Sequence, residues 1–261
     1  MYQRVDCVSM DDLLMQRSRR RPFPGVYFVR LCSWSEEIRQ KLWQYHEAAR
    51  TRGVIIEGAL RNPEDRELNY LRQTLGDQPL LDGPSILNAL AKWMPRMKPE
   101  QRKQFADLLF AQLEELRKKG KPDTVLRNVY YKIFCWLYYR FERLIPLLDE
   151  DDPPRILYDE GQSFTAHELI MLRILSSMGA DILLLEAFGD QAYLKHDPQS
   201  QYSQLLSVSG APFPKDFTLK QFRKDMQAAA ASRQPALSPH PPAPAASRAS
   251  SPVHHAIQPR P

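Results

Sequence analysis

The groups best placed to do chemistry follow two apolar runs. Asp159, Glu160, Gln162 and Ser163 come after the run 155–158, and Gly189, Asp190 and Gln191 come after 181–187. In an open parallel sheet, ligands gather outside the carboxyl ends of the strands. If the two runs are neighbouring parallel strands, both sets share one rim. Carboxylates there could hold Mg²⁺, or accept hydrogen bonds from the hydroxyls of a small polar or nucleotide-like metabolite; they would repel a bare phosphate. Tyr158, Asp159, Glu160, Gln162, Ser163 and Asp190 are therefore the candidate ligand-binding residues. The competing reading is a solvated turn whose acids complement the dipole of the next helix.

Gly161-Gln162-Ser163-Phe164-Thr165 resembles a nucleophile elbow, and Asp190 and His196 follow it in hydrolase order. The second glycine of that elbow is replaced by Thr165, which also caps a helix, so a Ser163 hydrolase ranks a poor third. His167-Glu168 lacks the second histidine of a zinc-binding HExxH, and His196 sits in the polar turn Lys195-His196-Asp197-Pro198. With no glycine-rich phosphate loop and only 10 glycines in all, nucleotide binding through such a loop is disfavoured. No residue is assigned a catalytic role, and no metal-ligand spacing is present.

These residues need elements to hold them. The stretch 155–189 reads as strand, turn, helix 166–178 and strand, with a Thr165/Glu168 capping box and Gly179 past the helix end. Two strands so joined are expected to lie parallel in a right-handed β-α-β unit. A second unit precedes it: strand 25–31, a helix 36–52 capped by Ser33 with Glu36 and ended by Gly53, then strand 54–56. Both are expected in one sheet, since a lone strand pair is seldom stable in water. Between them, 64–75, 84–93, 99–119 and 124–148 carry helical periodicity, the last with an apolar stripe from Leu126 to Leu148. Helix 166–178 is apolar nearly all round and should lie between the sheet and helix 124–148. A short helix is expected near 11–16, a basic loop after it, and a last helix at 218–231.

The chain has 261 residues, 26% charged and 43% hydrophobic, with a formal net charge of +5. Arg17, Arg19, Arg20 and Arg21 crowd one segment; without interleaved aromatic residues this reads as a solvated loop, which argues against nucleic acid. Three scattered cysteines suggest no disulfide framework and fit a reducing compartment. The N-terminus has no apolar core of a secretory signal, and the densest apolar run, 133–139, is too short to enter a membrane as a span. A cytoplasmic location is the expectation.

Asn128 to Leu137, then Pro154-Arg155-Ile156-Leu157-Tyr158 and Gly179 to Glu186, carry a resemblance. They are similar to the YceG-like proteins linked to tellurite-resistance and stress operons, described as a component of a biosynthetic module. The likeness is best over 128–217. The family's Tyr-Tyr-Gly appears as Tyr158-Asp159-Glu160-Gly161, a departure at the rim itself. The resemblance supplies no catalytic residues. It implies a protein working beside other tellurite-resistance and biosynthetic-module proteins, either as a metabolite binder or as a non-catalytic interaction component.

The expected fold is α/β, with Rossmann-like parallel β-α-β units, a large helical insertion and a disordered C-terminal tail. The expected divisions are a basic segment 1–24, a first β-α-β unit 25–60, a helical region 61–148, a second unit with terminal helix 149–231, and a Pro/Ala/Ser tail 232–261.

Overall fold

Strands covered on both faces read as unbroken apolar runs, and Asp181-Ile182-Leu183-Leu184-Leu185 is such a run, buried at every position. The computed structural model describes residues 2–159, 161 and 163–233. Its first half holds β1 (Gln3–Arg4), β2 (Gly25–Val26), β3 (Phe28–Leu31), β4 (Ser33–Trp34), α1 (Glu36–Arg52) and β5 (Gly53–Glu57). Four helices follow: α2 (Asp65–Leu75), α3 (Gly83–Trp93), α4 (Pro99–Lys118) and α5 (Asp123–Tyr139). Then come β6 (Arg155–Asp159), α6 (Ala166–Ser177), β7 (Asp181–Leu185), α7 (Gln191–Leu194), β8 (Gln204–Leu205), β9 (Ala211–Pro212) and α8 (Leu219–Arg233).

Five strands form one parallel sheet in the order β5-β6-β7-β3-β8. Ile156 and Leu183 lie on neighbouring strands that point the same way, with Leu157 opposite Leu183. The two β-α-β units do share a sheet. The strands of the first are not neighbours, however, because β6 and β7 lie between β3 and β5.

Alternation divides the strand side chains between two cores. Phe28, Ile156, Tyr158, Ile182 and Leu184 pack with α2 to α6, whereas Val29, Leu31, Leu157, Leu183 and Leu185 pack with α1, α8 and the N-terminal segment. The winding explains the split. From β3 the chain crosses to the far edge at β5 through α1; it then returns through α2–α5 to β6 and α6 to β7, and passes over β3 through α7 to β8. Crossovers of one hand that run in opposite directions must lie on opposite faces. The direction reverses between β3 and β7.

Helix α6 is wrapped as its composition requires, by the sheet, α4 and α5. Its partner on that side is shorter than the periodicity of 124–148 predicts. Helix α5 stops at Tyr139, and Glu142–Leu147 is a 3₁₀ segment containing Pro146. Proline has no N–H to donate and disfavours helical geometry in the residue before it. Phe141, Leu144 and Leu148 remain fully buried, so the stripe survives the change of helix type.

The basic loop is also different from its expected form. The helix near 11–16 is only a 3₁₀ turn, Asp12–Leu14, and Arg17 and Arg20 are buried rather than solvated. Arg20 grips Asp181 through both guanidinium ends at 2.7 and 2.6 Å, with both side chains fully buried. Arg17 Nη2 donates to the Gly179 carbonyl at 2.6 Å, at the end of α6. The terminal helix continues through Arg233, two residues into the expected tail; 234–261 lie outside the described residues.

Candidate functional site

The strands β5, β6, β7 and β3 end together at Glu57, Asp159, Leu185 and Leu31. After β7 the chain turns toward the α6 side, and after β3 toward the α1 side. Such a reversal opens the crevice where ligands of doubly wound sheets bind.

The rim acids do not converge. Asp159 follows the parity of Leu157, which faces α1 and α8. Its Oδ2 accepts from the Leu219 N–H at 3.3 Å, where α8 begins, and Oδ1 from the Gly161 N–H at 3.4 Å. Burial raises the pKa of this carboxyl, the two backbone N–H groups oppose the rise, and nearby Glu57 adds to it. Glu57 itself pairs with Arg223 of α8 at 2.9 Å. Asp190 belongs to the opposite face. It accepts from Arg30 at 2.6 Å, and Arg30 shares the parity of Phe28, which packs toward α6. The sheet thus separates Asp159 from Asp190.

Tyr158 is core rather than rim. Its hydroxyl is fully buried and donates to Glu168, which also accepts from the N–H of Leu60 at 2.6 Å and of Thr165 at 2.6 Å. Ser163 is exposed. His196 Nε2 donates to the Phe164 carbonyl at 3.1 Å and Asp190 is held by Arg30, so the hydrolase order of the sequence is not a triad in space. Glu160 and Gln162 lie outside the described residues. Among the described residues, no group of three or more His, Cys, Asp or Glu is arranged to hold a metal ion.

What occupies the reversal is a set of residues that motif reading passes over. Arg30 lies under α7, its guanidinium 4.5 Å from the Tyr193 ring centroid and bonded to Ser200 Oγ at 2.6 Å. The available signal was an arginine inside an otherwise apolar strand, since such a charge is buried only with a partner. Cys32, the next residue after β3, has its thiol pushed up to about 12, chiefly by burial and then by Asp190 and Glu186, which makes it a poor nucleophile. Beyond it, β4 leads Trp34 into a cluster with Phe213 and Phe217, at ring separations of 5.1 and 5.2 Å. A cleft of about 130 Å³ opens on this cluster, with Trp34 and Phe217 as its apolar base and Arg39, Thr218, Gln221 and Asp225 as its polar border. An aromatic base with a few polar groups suits a small polar molecule.

Residues 36–234 match the family model described as the YceG domain, a wider span than the 128–217 stretch that carries the resemblance. No curated protein and no solved structure matches the chain. Among the described residues, no helix is long and apolar enough to cross a membrane.

Proposed function

The chain belongs to the YceG domain family, and from that premise we propose that it binds a small polar metabolite at the carboxyl edge of its sheet. In this reading it is a Rossmann-like, doubly wound component of a tellurite-resistance or stress-linked biosynthetic module in the cytoplasm. The observation that carries the reading is the reversal of winding between β7 and β3, with the Trp34–Thr218 cleft beside it. The candidate ligand-binding set shifts accordingly, from an Asp159–Asp190 pair to the border of this cleft.

A second reading, a non-catalytic interaction component of the same module, draws on a different region. Leu80 is 69% exposed on the wall of a cavity of about 300 Å³ between α2, α3 and α5. One complementation experiment separates the two, with each variant first shown to melt like wild type. In cells lacking the native protein, Arg39→Met with Gln221→Leu should fail to restore growth under tellurite, while Leu80→Lys should restore it. The opposite pair of results selects the interaction reading, and full rescue by both variants refutes both.

A further inference from the structure

The amino edge carries a second depression, on the opposite side of the molecule from the cleft. It is a cavity of about 270 Å³ between β1, the start of β3, the end of α6 and the loop at 201–202. Val26 and Phe28 floor it, 1% and 2% exposed, and Tyr2 and Tyr202 stand at its sides. The charged side chains that line it are both arginines, Arg4 and Arg173.

Among the described residues, no carboxylate lines the cavity beside these arginines. Arg4 Nη1 donates to the carbonyls of Gln201 at 3.0 Å and Ser200 at 3.4 Å, and among the described residues no carboxylate pairs with it. Arg173 lies with its guanidinium carbon 3.5 Å from the Tyr202 ring centroid. Among the described residues its carboxylate partner is Glu115, which lies outside the cavity lining at 3.6 Å and shares its charge with Lys119 at 2.7 Å. A helix C-terminus would ordinarily repel an anion. Here the Ser177 carbonyl accepts from the Tyr2 N–H at 3.1 Å and Gln104 Nε2 at 2.9 Å, and the Gly179 carbonyl from Arg17. Those donors cover the negative end of α6, and Ser176 and Ser177 complete the lining on that side.

We infer that this depression is a binding site for a small ligand that joins an oxyanion to a flat apolar body, the oxyanion between Arg4 and Arg173 and the body on Phe28 between the two tyrosines. Two guanidinium forks suit a phosphate or carboxylate, and aromatic walls suit a planar group.

The test uses the full chain and phenyl phosphate, benzoate, inorganic phosphate and phenol as probes, followed by the ring signals of Tyr2 and Tyr202 in NMR. Phenyl phosphate or benzoate should shift both rings saturably, and whichever binds more tightly names the oxyanion. Inorganic phosphate and phenol should each bind at least about ten-fold more weakly. Arg4 is exposed, so Arg4→Met should keep the fold while weakening binding at least about five-fold, and adding Arg173→Met should remove saturation. Equal affinity in Arg4→Met and wild type, or no saturable shift of either ring by phenyl phosphate or benzoate, overturns the site. Should Arg173→Met unfold the chain, Arg4→Met alone decides.

Discussion

The two edges of the sheet use the same residue types in opposite ways. At the amino edge, Asp181 is fully buried and held through both oxygens by Arg20, and Arg155 reaches the Leu13 carbonyl at 3.4 Å and Asp152 at 2.9 Å. At the carboxyl edge, Asp159 leans on two long backbone hydrogen bonds, and Asp190 meets Arg30 with 18% of its own side chain exposed. An acid clamped on both oxygens with no access to solvent is a fastener. An acid at an opening keeps part of its hydration and so contributes less to the fold, and sheet topology puts the opening at the carboxyl end.

The contrast can be broken at its strongest point first. The family match begins at residue 36, yet β3 lies before it and sits between β7 and β8. A chain beginning at residue 36 would leave β7 an open edge and remove Arg20, and it should show no cooperative transition in a circular-dichroism melt. A cooperative melt would mean that the amino-edge fasteners are dispensable.

Next in size is Asp181→Asn, which leaves Arg20 buried against a neutral partner. Breaking a buried pair on one side costs about 3–5 kcal/mol, to be read by chemical denaturation. Asp190→Asn should cost less, about 1–3 kcal/mol, because its carboxylate already meets water. If the two substitutions cost the same, the distinction between the edges fails.

The smallest effect is a pH dependence at Asp159, whose folded pKa is raised above the ordinary 3.8 mainly by burial. The folded state then holds this proton more tightly than the unfolded chain. Its stabilisation is fully present below 3.8 and is lost as pH rises through the folded value. Asp159→Asn, which cannot ionise, should therefore gain stability relative to wild type as pH rises from about 3.8 toward neutrality. Melts at pH 4 and pH 7 check the sign.

Much of this frame was legible in the chain itself. Helix caps, glycines past helix ends and unbroken apolar strands are local signals, and they place β6, α6, β7 and α1 within a residue or two, although α1 is capped by Ser35 and not by the Ser33/Glu36 box, Ser33 lying in β4. The unread parts depend on distant partners. Arg20 meets Asp181 across 161 positions, so a run of arginines looks solvated until the fold supplies the acid. The insertion of β6 and β7 between β3 and β5 likewise has no local signature. The separation of Asp159 from Asp190 was partly within reach, since strand parity puts Asp159 with Leu157. The partner that fixes the other face, Arg30 on Asp190, was not.

Native mass spectrometry of the full chain purified from its own cells tests the carboxyl-edge site most directly. Wild type should carry a small molecule that is lost in Arg39→Met with Gln221→Leu and retained in Asp159→Asn. A bare wild-type chain, or a bound mass that survives the cleft substitutions, would contradict the account.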